Sequence, residues 1–302
     1  MSIRFDGKVA IVTGAGAGLG RAHALLLASR GAKVVVNDPG GSLDGQGANA
    51  FVADQVVEEI RAAGGEAVAN YASVADRAGA ASIVQTALNS FGGIHIVLNN
   101  AGILRDKSFR KMPLEDFELV MQVHFMGTVY VTHAAWPHLL DQSYGRVVLT
   151  SSASGLANSF GQSNYASAKA AMLGLMNCLK NEGSRSNVKV NMVAPVATTR
   201  MTEGVIAARQ AELSKPERVS PAVAWLCSEA CDVSGVTVVA GAGYYGRAQM
   251  MKGSGAVIRP GETATIEEFA ETLPEVMSLD RVEPFNSTLS PQVRELLGIE
   301  QR

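Results

Sequence analysis

The chain has 302 residues, 47% of them hydrophobic, enough for one large core or two modest ones, and 26 Lys and Arg against 28 Asp and Glu leave a net charge of -2. That balance, with no long run of either sign, argues against nucleic acid as a partner. Apolar runs such as Val9 to Val12 fall far short of the roughly 18 to 20 residues that cross a bilayer, and the amino terminus lacks the apolar stretch of a secretory signal, so a cytoplasmic location is expected.

In chain order, a first strand is predicted over Lys8 to Val12. Thr13-Gly14-Ala15-Gly16-Ala17-Gly18-Leu19-Gly20 follows it and leads into an apolar helix, so backbone amides and a helix N-terminus can meet a pyrophosphate. A second strand, Lys33 to Asn37, runs into Asp38, 18 residues after Gly20. A carboxylate there can accept from the ribose hydroxyls of adenosine and would repel a 2′-phosphate, which argues for NAD over NADP; the alternative is a solvated loop aspartate. Pro39 to Gly47 reads as a long surface loop.

Further strands are predicted at Glu66 to Asn70, Ile94 to Asn99, Gly145 to Thr150, Lys189 to Val193 and Val236 to Ala240. Between them, a helix opened by Pro113 runs toward Leu140, another covers Ser163 to Asn181, and Ser220-Pro221 supplies an N-cap and first-turn proline ahead of Val223 to Cys227. Cys227 and Cys231 lie one helical turn apart without nearby histidines, which points to buried thiols and to no metal site. Near-continuous apolar strands joined by helix-length crossovers predict a doubly wound, parallel, seven-stranded Rossmann-like α/β sheet.

After Gly243 the alternation stops. Residues 1–243 are expected to form the dinucleotide-binding catalytic domain and 244–302 a C-terminal extension with helical patches at Thr265 to Leu273 and Pro291 to Leu297. Phe269, Leu273, Val276 and Met277 give the extension apolar material to bury, so it is expected to dock on the main body.

Tyr165-Ala166-Ser167-Ala168-Lys169 falls at the start of the predicted 163–181 helix, placing phenol and ammonium one turn apart on one face. A tyrosine ionises near pH 10, so proton transfer near neutrality needs a shift of about two to three units, or roughly 3 to 4 kcal/mol, which a lysine cation beside it can supply. Ser152 precedes Tyr165 by 13 residues at the end of the fifth strand.

Together with the glycine turn and Asn99-Asn100-Ala101-Gly102 after the fourth strand, these residues resemble the short-chain dehydrogenase/reductase family across about residues 6 to 243. The resemblance implies an enzyme that moves a hydride between NAD and a secondary alcohol or ketone. It implies Tyr165 as general acid/base, Lys169 holding the nicotinamide ribose and lowering the phenol's pKa, and Ser152 orienting the substrate oxygen. The implied cofactor contacts are Gly14, Gly16, Gly18, Leu19, Gly20 and Asp38, then Ser73, Val74, Asn100, Ala101 and Gly102, with Pro195, Val196 and Thr198 near the carboxamide.

Two positions depart from the family pattern: Val196 replaces a usual glycine, and His124 stands where the family places a catalytic asparagine, so that it either relays protons or fills space. Val123-His124-Phe125-Met126-Gly127, Phe160-Gly161-Gln162-Ser163-Asn164-Tyr165 and Arg200-Met201-Thr202 are similar to the (3R)-hydroxyacyl-CoA dehydrogenase unit of type 2 multifunctional β-oxidation enzymes. An acyl-CoA is then the implied substrate, and the 244–302 extension is implied to pack near the active site. Alternatives are a hydroxysteroid dehydrogenase, including one acting on sterol side-chain CoA esters, a 3-oxoacyl carrier-protein reductase, and a non-catalytic NAD-binding sensor. Arg105, Lys107, Arg110 and Lys111 form a basic patch that either meets CoA phosphates or is solvated, and the family's helix pairing implies a homodimer or homotetramer.

Overall fold

The structure, a computed structural model, describes residues 2–42, 44–47, 49–157, 159–197, 212–258 and 261–285, with 293, 295 and 298. Thr198, the Arg200-Met201-Thr202 motif and most of the Pro291 to Leu297 patch lie outside the described residues. The chain divides into two compact units, 1–247 and 248–302.

Strands β1 (Val9–Thr13), β2 (Lys33–Asn37), β3 (Glu66–Asn70), β4 (Ile96–Asn99), β5 (Gly145–Thr150), β6 (Val188–Pro195) and β7 (Thr237–Gly241) pair in the order β3-β2-β1-β4-β5-β6-β7, with parallel registers throughout. Both faces are buried, and the pleat sorts the side chains between them. Ala10, Val12, Val34, Val36, Ile96 and Leu98 enter one apolar layer, while Val9, Ile11, Val35, Val97, Val147 and Leu149 enter the other.

Helices α1 (Gly18–Ser29) and α2 (Phe51–Ala62) help fill the first layer, and α3 (Arg77–Phe91) the second. An eighth strand, β8 (Tyr244–Ala248), joins the sheet beside β7, where sequence patterning expects the alternation to end. Ala242 and Gly243 both take positive φ (51° and 83°), which suits a tight two-residue reversal.

The predicted Pro113 to Leu140 helix is a composite: α4 (Leu114–Met121), one π-helical turn (Gln122–Met126) and α5 (Gly127–Asp141). Helix α6 (Ala153–Leu156) is a single turn, and α7 (Ser163–Glu182) is the long helix carrying Tyr165 and Lys169. In α8 (Ser220–Cys227) the N-cap is Val219, not Ser220. The Ser220 hydroxyl lies 2.8 Å from Nδ1 of buried His23 instead, so a tertiary contact overrides the local capping signal.

The second unit contains an antiparallel pair, β9 (Met251–Gly253) and β10 (Val282–Pro284), and α9 (Ile266–Val276). Thr265 and Glu268 close a reciprocal capping box at the start of α9. Among the described residues no helix is long and apolar enough to cross a membrane.

Gly20 sits where α1 passes the turn from β1: a Cβ there would lie 2.2 Å from Gly14 O and 2.6 Å from Asn100 Nδ2. Gly20→Ala should therefore destabilise the chain by about 1 to 3 kcal/mol through overpacking against backbone. Thermal or urea unfolding measures this, and a wild-type midpoint in the variant would refute the close approach.

Candidate active site

Strand order reverses between β1 and β4, so the helices leaving them fall on opposite faces and a crevice opens at the carboxyl ends of the strands. Its floor is a knot of hydrogen bonds. Thr13 Oγ1 accepts from the amides of Asn100 (3.0 Å) and Ala101 (3.1 Å) and donates to Leu98 O (3.3 Å). Asn100 Nδ2 donates to Thr13 O (3.0 Å) and Gly14 O (3.1 Å). Gly14, with φ +64°, is the only residue type that fits this approach, because a Cβ would stand 2.8 Å from Ala101 Cα.

One cavity opens above this knot. Gly14, Gly18 and Leu19 line it beside the first turn of α1, Asp38, Ser73 and Val74 line it beyond the ends of β2 and β3, and Asn100, Ala101 and Gly102 line it from β4. Tyr165, Lys169, His124 and Pro195 complete the wall at the other end. Gly16 and Gly20 stand behind it as packing glycines: Gly16 N–H donates to Asp38 Oδ2 (2.9 Å), and Gly20 abuts Gly14.

The residues present fit a dinucleotide. Helix α1 has no side-chain cap and no acidic residue in its first turn, so its leading amides and dipole face the cavity free to meet phosphate. Asp38 accepts from Gly16 N–H and, at 2.7 Å, from Gly40 N–H, which orients its carboxylate and leaves acceptor capacity on both oxygens. Val196, expected near the carboxamide, follows β6, and its N–H donates to Ala240 O (2.8 Å).

At the other end, Lys169 is buried and donates from Nζ to Thr150 O (2.5 Å), with Nζ 5.6 Å from the centre of the Tyr165 ring. Gly155 lets α6 lie against α7, since a Cβ there would come within 2.7 Å of Lys169 Cβ. Ser152 caps α6 by accepting from Ser154 N–H (3.2 Å). Burial raises the Tyr165 pKa and outweighs the lowering by Ser152, while burial pushes Lys169 down to about 7.

His124 lies in the π turn, with its ring edge-on to Tyr165 at 5.1 Å. Nε2 stands 2.7 Å from Ile103 O and 3.0 Å from Ile103 N, so it pins the backbone at Ile103 in either tautomer. Nδ1 is buried and has no hydrogen-bond partner. Burial first, and the Lys169 charge second, hold His124 at about 3, so near neutrality the ring is uncharged. Gly102 is what admits the ring, because a Cβ there would fall 2.1 Å from His124 Cε1.

Sequence reasoning did not single out Thr13 beyond its motif, nor the cavity-lining loop residues Ser42 and Gly45. Arg105 and Lys107, grouped by sequence in a basic patch, both pair with Asp116 (2.7 and 3.2 Å). Among the described residues no cluster of three or more His, Cys, Asp or Glu could hold a metal ion.

The short chain dehydrogenase family model matches residues 8–213, which span the glycine turn, Asp38, Ser152, Tyr165 and Lys169. The chain belongs to that family. It is 49% identical over 267 residues to the peroxisomal multifunctional enzyme type 2 of Drosophila melanogaster, covering 88% of this chain and 44% of that protein. The solved full-length structure of the fly enzyme matches with a TM-score of 0.82 at 39% identity, over 98% of this chain and 50% of that one. This chain therefore spans about half of that relative or less.

A hydroxyacyl-CoA dehydrogenase of Mycobacterium tuberculosis is 40% identical over 243 residues, covering 74% of each chain. A 7α-hydroxysteroid dehydrogenase solved with NADH and 7-oxo glycochenodeoxycholic acid matches at 29% identity with a TM-score of 0.72, over 80% of this chain and 95% of that one. This short-chain dehydrogenase is thus an oxidoreductase homologous to the dehydrogenase unit of multifunctional enzyme type 2.

His124 and His23 are both fully buried and both held at about 3, against an ordinary 6.5. Below pH 6.5 the unfolded chain takes up protons that the folded chain refuses until about 3, so stability falls with pH across that window. The loss is up to about 1.4 kcal/mol per pH unit for each ring. His124→Asn should remove one share, making the drop in unfolding free energy between about pH 7 and pH 5 smaller than in the wild type by about 1 to 2 kcal/mol. Equal drops in the two proteins would exclude a proton-excluding site at His124.

Proposed function

We propose that this dehydrogenase oxidises the secondary alcohol of a (3R)-hydroxyacyl-CoA with NAD. The observation that carries this reading is the convergence of Tyr165 and Lys169 with the uncapped N-terminus of α1 and Asp38 around one cavity. The kinship with multifunctional enzyme type 2 and with a hydroxyacyl-CoA dehydrogenase supports the substrate class.

NAD, when bound, supplies the hydride acceptor. Tyr165 takes the proton of the substrate hydroxyl, Ser152 holds the same oxygen, and Lys169 in its charged form favours the phenolate. Burial alone raises the phenol and lowers the ammonium, the reverse of what proton transfer near neutrality needs. A ribose hydroxyl beside Lys169 would add an acceptor to Thr150 O and so favour the charged amine. His124, uncharged and engaged with Ile103, serves as a support for the Tyr165 ring and the cavity wall, not as a group that charges during turnover.

Asp38 favours NAD because its carboxylate would face an added 2′-phosphate. The likeness to a 7α-hydroxysteroid dehydrogenase favours a second reading, oxidation of a steroid alcohol, on the same catalytic groups. Two or four copies associating through α5 and α7 belong to the first reading.

Tyr165→Phe should lower kcat by about a thousandfold or more while leaving NADH binding near wild type, as steady-state kinetics and fluorescence titration would measure. Activity within tenfold of wild type would remove Tyr165 from the mechanism. Paired 3R- and 3S-hydroxyacyl-CoA esters, assayed beside a 7α-hydroxysteroid, decide the substrate: only the 3R ester should be turned over efficiently, and Asp38→Ala should erode the preference for NAD over NADP.

A further inference from the structure

The glycine-rich segment after β2 closes on itself and leans over the cavity. Asn49 N–H donates to Pro39 O (3.0 Å), Ser42 N–H to Gln46 O (2.8 Å) and Gly45 N–H to Ser42 O (3.0 Å). Gly41, Ser42, Gly45 and Gly47 line the same cavity as Asp38 and Lys169. Across the cavity runs the extended segment after β4. Gly45 packs on Ile103, with so little space that a Cβ would stand 3.2 Å from Ile103 Cδ1.

Arg105 is the side chain that crosses between the two. Its Nε donates to Asp44 O (2.8 Å), and Nη1 pairs with Asp116 Oδ1 on α4 (2.7 Å). The backbone around it is held at both ends. His124 fixes Ile103, and the carbonyl of Arg105 accepts from Nδ2 of buried Asn164 (3.0 Å), whose Oδ1 accepts from Tyr165 N–H (2.8 Å). The guanidinium fork suits this task, because its geometry satisfies a carbonyl and a carboxylate together while a lysine ammonium is a single point charge.

We propose that Arg105 is a positioning residue of the cofactor site, a strut between α4 and the 39–49 loop that holds the loop over a bound nicotinamide dinucleotide and slows its departure. The proposal rests on the cofactor reading above and deepens it. Arg105 touches none of the reacting groups, so its influence falls on cofactor retention and not on hydride transfer once the site is filled.

The test is NADH binding and release by the full chain, followed by fluorescence titration and stopped-flow displacement, in wild type, Arg105→Ala, Arg105→Lys and Asp116→Asn. Loss of a hydrogen bond to a charged group is worth about tenfold, so Arg105→Ala should release NADH about ten times faster and bind it correspondingly more weakly. Asp116→Asn, which keeps the Arg105 side chain but replaces its charged partner on α4 with a neutral amide, should shift release in the same direction by less. Arg105→Lys should restore part of the loss. Single-turnover oxidation at saturating NAD should stay within about twofold of wild type in all three variants.

NADH release unchanged in both Arg105→Ala and Asp116→Asn, with tight binding in the wild type, would overturn the strut and leave the functional reading standing. Single-turnover rates falling as far as release rises would also overturn it, by placing Arg105 in the catalytic end. A wild-type chain that bound no dinucleotide would overturn both.

Discussion

The hydrogen bonds of Thr13 and Asn100 at the ends of β1 and β4 are the constraint on which the remainder of the site depends. Reversal of strand order forces a crevice at that point, and adjacent parallel strands would otherwise leave their terminal peptide groups unpaired at its floor. One threonine hydroxyl and one asparagine amide satisfy those groups and bring the glycine turn hard against Ala101. The glycines follow from this closeness. At Gly14 and Gly20 the space is taken by backbone, which cannot rotate away as a side chain could.

Above that floor, buried polar side chains stand in the cavity wall. Lys169, His124 and Asn164 are buried, and each is oriented by backbone groups: Lys169 by Thr150 O, His124 by Ile103, and Asn164 by Arg105 O and Tyr165 N–H. Buried polar groups held this way cost free energy in the empty chain, visible as the lowered Lys169 and His124 and the raised Tyr165. That cost is the physical source of preorganisation, because groups already stripped of water need no rearrangement when a ligand arrives.

The cavity has two walls of different character. The catalytic wall is built on β5, α7 and the π turn, whose side chains are locked by packing. Among its described residues, the 39–49 wall has only short-range hydrogen bonds of its own and reaches the rest of the unit through Arg105 and the Gly45 contact on Ile103. Rigid chemistry beside a strutted cover is a sensible division for an enzyme that must hold a cofactor firmly and also let it go.

Most of the frame was legible in the residues. Strands β2 and β5 have the bounds their apolar runs predict, because strands covered on both faces are apolar along nearly their whole length. The glycine turn and the Tyr165–Lys169 pair meet at the cavity with the spacing their motifs carry, because that spacing is set by local geometry, a tight turn in one case and one helical turn in the other. What the sequence could not reveal depends on partners far away in the chain: the π turn that directs His124 beneath Gly102, Ser220 diverted from capping to His23, Val196 N–H taken by Ala240, and Arg105 drawn from a basic patch into a strut. Periodicity and motif spacing record short-range geometry, whereas the partner of a side-chain or backbone donor is decided by which segments the fold brings within about 3 Å. Local patterning thus determined the sheet and the chemistry it displays, and tertiary structure alone decided how those groups are held.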